Sequence, residues 1–131
     1  MAAAVQTQFA PEAPRGRSTD VQRVFVGVDL GTSMGYAVVD DRGQFVEAGA
    51  WNFAPKKGAH AGARFVLASR QISAFLARVI GVEGLRLGGI AYEKVRRHDG
   101  VQAAHVYGAF EAILLAVCYQ LGIEPDTVEV A

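Results

Sequence analysis

The chain has 131 residues, 51% of them hydrophobic and 20% charged, with a formal net charge of zero. That length and composition predict one folded domain with a real core and exclude a disordered chain. Zero net charge excludes a uniformly basic protein that wraps nucleic acid, although one face can still be basic. The single cysteine, Cys118, excludes an internal disulfide and a cysteine-based zinc site, so we expect a reducing compartment, the cytoplasm. We expect no membrane span, because no apolar run reaches the required length of about 18 residues.

Seven structural elements are predicted after an N-terminal tail. The tail, residues 1–20, is rich in Ala, Pro and small polar residues, and we expect it to be flexible, which leaves residues 21–131 as the domain. Apolar and β-branched runs predict strands at 24–30, 36–40, 44–53, 87–95 and 127–130. Helical spacing predicts helices at 63–80 and 101–121. The order βββαβαβ predicts a mixed five-stranded α/β sheet, an antiparallel meander followed by parallel units, with helices packed on it.

The two helices differ in their apolar patterns. The first has one apolar stripe, with Arg64, Arg70 and Arg78 off it on a solvated face. The stripe consists of Phe65, Ile72, Phe75, Leu76, Val79 and Ile80. The second helix is apolar on most sides between residues 109 and 119, which predicts burial between the sheet and another layer.

Two acids lie near the ends of otherwise apolar strands. Asp29 lies in VFVGVDLG and Glu93 in GGIAYEKV. Ligands collect at the carboxyl ends of parallel strands, so the two acids converge if the first and fourth strands are parallel neighbours. Carboxylates so close repel each other, and a divalent cation removes the conflict. With oxygen ligands alone, Mg²⁺ or Mn²⁺ is favoured, and the pair predicts a phosphate-handling metal site.

Two other groups of polar residues lie in predicted turns. Residues 31–35 (GTSMG) form a glycine-rich turn in which Thr32 and Ser33 offer hydroxyl and amide groups to a phosphate. The pattern is weak on its own, because it is neither a P-loop nor GxGxxG. Asp40 and Asp41 precede Arg42-Gly43, where aspartate is the expected hairpin residue, so we assign both a structural role.

Basic residues concentrate in the middle of the chain. Residues 56–97 contain nine Lys and Arg but two acids, an excess of seven positive charges in a chain of zero net charge. Such a cluster binds nucleic-acid phosphates and makes binding salt-dependent. The candidate DNA-binding residues are Lys56, Lys57, Lys94, Arg96, Arg97 and His98. We assign Arg70 and Arg78 to a solvated helix face, His105 to a packed or capping position, and Cys118 to the core.

Three segments together resemble RuvC-like Holliday-junction resolvases, in particular phage-type members of the ribonuclease H-like superfamily. They are VFVGVDLGTSMGYAVVD, IAYEKVRRHDG and AAHVYGAFEAILLAV, and the likeness runs over about residues 23–131. The resemblance implies a metal-dependent crossover junction endodeoxyribonuclease that acts in DNA recombination and repair on four-way or branched DNA. It implies that Asp29 and Glu93 bind the catalytic ions, Mg²⁺ or Mn²⁺. It also implies a homodimer, with one active site for each of two symmetric strands.

The resemblance also implies that the chain is incomplete. Family members continue past the fifth strand with a lysine- and glycine-containing segment and a final helix that brings one or two further acids. This sequence ends at Ala131, where that segment should begin, and Glu124, Asp126 and Glu129 do not match the expected motif. We therefore expect a nuclease domain that lacks its C-terminal helix, has a weak metal site and could be inactive as this truncated chain.

Two alternatives stay open. The chain could be a non-catalytic domain that binds branched DNA, which the absent third acid favours. It could also be a fragment of an actin-like or sugar-kinase ATPase, because GVDLGTSMGYAVVDDRGQFVEAG is similar to the first hairpin of those proteins. That second alternative normally needs two large lobes and does not predict Glu93 followed by basic residues.

Overall fold

The computed structural model describes residues 21–95 and 97–129. It contains seven elements in the predicted order: β1 (Gln22–Asp29), β2 (Ser33–Asp40), β3 (Phe45–Asn52), α1 (Ala63–Gly81), β4 (Leu85–Lys94), α2 (Val101–Gln120) and β5 (Asp126–Glu129). The predicted N-terminal tail and Arg96 lie outside the described residues, so expectations for them stay predictions. Ser33 already belongs to β2, so the turn predicted at 31–35 is shorter than expected.

The strands form one mixed sheet in the order β3-β2-β1-β4-β5. Strand β2 pairs antiparallel with both β1 and β3, which confirms the predicted meander. Strand β4 pairs parallel with β1 and with β5, so the expectation that the first and fourth strands are parallel neighbours is confirmed. The first four strands carry apolar side chains on one face of the sheet, and β5 forms a short, exposed edge strand.

Local sequence explains where the elements turn. At the β2–β3 hairpin, Asp40 Oδ1 accepts hydrogen bonds from the backbone N–H groups of Arg42 and Gln44, both at 2.9 Å. These bonds hold the pKa of Asp40 below its usual value, and they confirm its assignment to a hairpin role. Helix α2 ends at Gln120, and Gly122, whose φ is 75°, closes a Schellman motif in which the N–H of Ile123 donates to the carbonyl of Cys118.

Both helices pack on the same face of the sheet. In β1, β2 and β4 the buried residues have even numbers, including Val26, Val28 and Tyr92, because side chains alternate along a strand; in β3 the buried residue is Glu47, the partner of Val38. In α1, Phe75 contacts Tyr36 and Trp51 of the sheet, and Phe65 meets Phe110 of α2. The predicted α1 stripe is buried or partly buried except at Ile80, which is 44% exposed at the last turn. The other sheet face carries the alternate side chains of each strand, and neither described helix covers it.

Helix α2 is buried on one side only, so the expectation of burial on most sides is wrong. Five side chains enter the core: Tyr107, Phe110, Leu114, Val117 and Cys118. Leu115 and Tyr119 remain exposed, the latter at 84%. His105 is exposed as well, contrary to its predicted packed or capping position.

Within the described part of the chain, α2 is the one helix long and apolar enough to cross a membrane by length and composition. This corrects the expectation that no run reaches that length. Core helices of soluble proteins pass the same test, and one side of α2 packs in the hydrophobic core while 28% of its apolar window is buried.

Candidate metal site at the carboxyl edge of the sheet

Asp29 and Glu93 lie on adjacent parallel strands. Val28 pairs with Tyr92 in the register of β1 and β4, so Asp29 and Glu93 are the next residues along each strand. Val28 and Tyr92 are buried beneath the helices, and alternation therefore places the following side chains on the uncovered face. Asp29 is exposed and Glu93 is half-buried. Neighbouring strands are about 4.8 Å apart, which brings the two carboxylates within reach of one ion.

The surface around these carboxylates is made of very small residues. Gly27, Gly35 and Ala91 are the nearest positions on the same face of β1, β2 and β4. A Cβ added at Gly35 would lie 3.9 Å from Asp29 Cβ, and one at Gly27 would meet nothing within 4 Å. A phosphate backbone and a hydrated ion can therefore approach the sheet closely.

The donor set fits a hard divalent cation. Mg²⁺ in proteins is bound through one or two carboxylates, keeps several waters and is completed by substrate phosphates. Among residues 21–95 and 97–129, no group of three or more His, Cys, Asp or Glu side chains is close enough to hold a metal. Asp29 and Glu93 could supply two ligands to such an ion, with water and phosphate in its remaining positions.

The hydroxyl groups of Thr32 and Ser33, which the sequence analysis treated together, have different surroundings in the structure. Thr32 Oγ1 accepts a hydrogen bond of 2.9 Å from Nη2 of Arg64, so this hydroxyl is used within the fold. Ser33 is exposed and, as the odd-numbered first residue of β2, lies on the same face as Asp29. Of the two, Ser33 remains the candidate for phosphate contact.

Tyr107 of α2 holds the backbone that follows the second carboxylate. Its hydroxyl donates to the carbonyl of Glu93 at 2.8 Å and accepts from the N–H of Val95 at 3.2 Å. The ring of His98 packs against it with centroids 5.0 Å apart. Sequence reasoning assigned no role to Tyr107, although its place in HVYG, one turn before Glu111, marked the helix that follows the basic loop.

Lys94 points away from Glu93, to the face covered by the helices. Its Nζ lies 2.7 Å from Glu111 Oε2, which also accepts a 2.6 Å hydrogen bond from the Tyr92 hydroxyl. Burial raises the pKa of Glu111, but the bonds from Lys94 and Tyr92 outweigh burial and leave the pKa below its usual value. Burial and Glu111 both raise the pKa of Tyr92. The ammonium of Lys94 therefore has a carboxylate partner inside the protein.

Arg78 is exposed, as predicted, but its guanidinium also has a buried partner that the sequence did not indicate. Its guanidinium makes a two-pronged ion pair with Glu47 of β3, with distances of 3.0 and 2.8 Å. Glu47 is 4% exposed and is the one buried charged residue in the described chain. Tyr36 donates to the same carboxylate at 3.4 Å, and burial together with Glu47 raises the pKa of Tyr36. The excess of positive charge counted along the sequence is thus partly neutralised inside the fold.

The remaining basic candidates lie in loops at the edge that carries Asp29. Strand β3 ends beside Ser33, so the segment with Lys56 and Lys57 leaves the sheet at this edge, and both lysines are exposed. Arg97 is exposed and His98 is half-buried in the loop after β4. Arg96 lies outside the described residues.

Comparisons with known proteins bear on the fold. No protein-family model matches the chain, and no curated protein sequence matches it. Among solved structures, T. thermophilus RuvC in complex with Holliday junction substrate matches with a TM-score of 0.69 and 16% identity, over 82% of this chain and 64% of that chain. A second Thermus thermophilus RuvC structure matches with a TM-score of 0.63 and 18% identity, over 81% of this chain and 63% of that chain.

A third solved structure, the ethanolamine utilization protein EutJ from Carboxydothermus hydrogenoformans, has a TM-score of 0.46 and 24% identity, over 79% of this chain and 36% of its own. This chain therefore spans less than two thirds of the length of the RuvC structures it resembles. The RuvC comparisons agree with the mixed five-stranded sheet and its helices, and the chain has a RuvC-like, ribonuclease H-like fold.

Proposed function

We propose that this protein is a divalent-metal-dependent endonuclease that hydrolyses phosphodiester bonds in four-way junctions or other branched DNA. The observation that carries the proposal is the position of Asp29 and Glu93, adjacent carboxylates on the sheet face that neither described helix covers. The fold supports it, since solved proteins that share this fold are RuvC, one of them bound to a Holliday junction substrate.

In this proposal, Asp29 and Glu93 hold Mg²⁺ or Mn²⁺. A metal in such a site activates a water for attack on phosphorus and stabilises the leaving oxygen. Tyr107 fixes the backbone that carries Glu93, through its bond to the Glu93 carbonyl. The exposed Lys56, Lys57 and Arg97 contact DNA phosphates, which positions the backbone without reading its sequence.

We also propose that the chain acts as a homodimer, which gives two sites for the two strands of a symmetric junction. The uncharged outer face of α2 supports this. The one charged residue of the helix is Glu111, and its carboxylate is engaged by Lys94 and Tyr92. Leu115 and Tyr119, one helical turn apart, leave an exposed apolar surface that a second copy of α2 would cover.

Cleavage of a labelled four-way junction by the 131-residue chain tests the nuclease proposal. We expect nicked products in Mg²⁺ or Mn²⁺, none in EDTA, and none with Asp29→Asn or Glu93→Gln, with junction binding retained. Asp41→Asn is the matched control, because Asp41 lies in the hairpin turn at the opposite end of β2 from Gly35, the partner of Asp29. Cleavage that survives both active-site substitutions would overturn the proposal.

A non-catalytic branched-DNA-binding domain is the second candidate. It is favoured by the finding that the described residues contain no cluster of three metal-binding side chains. Junction binding that is equal in Mg²⁺ and EDTA, without any metal-dependent product from the wild-type chain, would select this candidate over the nuclease.

A further inference from the structure

Arg64 connects four parts of the fold around the turn that follows Asp29. Its Nε donates to the carbonyl of Phe53 at 2.8 Å, and its Nη2 donates to Thr32 Oγ1 at 2.9 Å. Its Cζ lies 5.2 Å from the ring centroid of Phe65 in α1 and 5.5 Å from that of Phe110 in α2. Each of these contacts limits the freedom of the guanidinium, so the side chain has one defined position.

This position is electrostatically unfavourable for helix α1. Arg64 is the second residue of the helix, whose first turn has no acidic residue and whose N-cap, Gly62, makes no side-chain cap. A cation near a helix N-terminus opposes the helix dipole. Moreover, within residues 21–95 and 97–129 no carboxylate lies within ion-pair distance of Arg64, although the side chain is partly buried. The helix itself therefore does not explain an arginine here.

The contacts of Arg64 explain it as a brace for the turn. The backbone N–H of Phe53 donates to the carbonyl of Thr32 at 2.7 Å, so Arg64 and this bond join the same two segments. Leu30 directly follows Asp29, and only residues 31–32 separate Leu30 from Ser33, the first residue of β2. Holding Thr32 therefore limits the movement of both Asp29 and Ser33 on the open face.

We infer that Arg64 is a positioning residue: it holds the Thr32 turn so that Asp29 is fixed for metal binding. This inference rests on the proposed function. Groups that orient metal ligands without touching the metal change affinity by about 10- to 100-fold when they are removed. Lysine cannot reproduce the two-bond geometry of a guanidinium, so the contact requires arginine.

The experiment compares two arginines of the same helix. Arg64→Met removes the brace, and Arg70→Met is the matched control, because Arg70 is an exposed arginine of the same helix. Thr32→Val removes the acceptor and leaves Arg64 in place. The first measurement is amide hydrogen exchange without metal at residues 31–33 and 53. The second is Mn²⁺ affinity, with Asp29→Asn defining the binding that belongs to the site.

We expect faster exchange at the turn and about tenfold weaker Mn²⁺ binding in Arg64→Met and Thr32→Val, but neither change in Arg70→Met. We expect Arg64→Lys to recover part of the affinity, and the double variant of Arg64 and Thr32 to be no weaker than either single variant. Unchanged turn exchange in a folded Arg64→Met chain would overturn the inference, whether or not metal binds. Wild-type Mn²⁺ binding that does not depend on Asp29 would instead overturn the proposed function, and with it the link from the turn to the metal.

Discussion

Glu93 and Lys94 are consecutive residues of β4 whose side chains lie on opposite faces of the sheet. Lys94 reaches Glu111 at 2.7 Å beneath α2, and Glu93 lies beside Asp29 on the uncovered face. Glu93 and Lys94 are therefore neighbours in the sequence but not partners in the structure. One residue serves the packing of α2, and the other is available to a ligand.

The ion pair beneath α2 predicts an acid-dependent loss of stability. The pKa of Glu111 in the folded chain lies below 4.5, so the unfolded chain binds more protons in acid. The stabilisation is therefore complete above about pH 4.5 and is lost as the pH falls through the folded pKa. Glu111→Gln should flatten the fall of the unfolding free energy below about pH 5, measured by urea denaturation at several pH values. Glu83→Gln, at an exposed position, is the control. If the unfolding free energy of Glu111→Gln fell in acid as steeply as that of the wild type, this role of Glu111 would be contradicted.

Lys94 and Arg97, two basic residues near the end of β4, should affect DNA binding differently. Arg97 is exposed, and Arg97→Ala should weaken junction binding and reduce the slope of log affinity against log salt by about one. Lys94 already has a carboxylate partner, so Lys94→Met should lower the melting temperature and change the slope much less. Filter binding or fluorescence anisotropy at four salt concentrations separates the two effects. Equal changes in slope would show that Lys94 leaves Glu111 to contact phosphate.

Because the Glu47 carboxylate of β3 is buried, we expect Arg78, which pairs with it, to be important for stability. Arg78→Met leaves Glu47, which is 4% exposed, with its main partner removed, although the hydroxyl of Tyr36 remains. Breaking one side of a buried ion pair costs about 3 kcal/mol of unfolding free energy. Arg70→Met, an exposed position on the same helix, should stay within about 0.5 kcal/mol of the wild type. Calorimetry or urea unfolding measures both, and an effect of Arg78→Met no larger than that of Arg70→Met would contradict a stabilising role for the ion pair.

Sequence patterns predict what depends on periodicity and fail where contacts join distant segments. The parity of Asp29 and Glu93 in two apolar strands, together with the βββαβαβ order, is enough to place both acids at one edge of one sheet. The partners of Arg64, Arg78 and Lys94 lie 11 to 32 residues away, and nothing local to them signals a carbonyl, a hydroxyl or a carboxylate in reach. The half-exposure of α2 was also missed, because hydropathy reports how apolar a face is and not whether another element covers it.

Paramagnetic line broadening by Mn²⁺ tests the central claim, a metal shared by Asp29 and Glu93, most directly. In the wild-type chain, substoichiometric Mn²⁺ should broaden the amide signals of residues 28–30 and 92–94 first, because those backbones lie closest to the two carboxylates. Asp29→Asn and Glu93→Gln should each abolish this broadening, and Asp41→Asn should leave it unchanged. Broadening centred elsewhere, or undiminished in either active-site variant, would contradict a shared metal site and the nuclease proposal built on it.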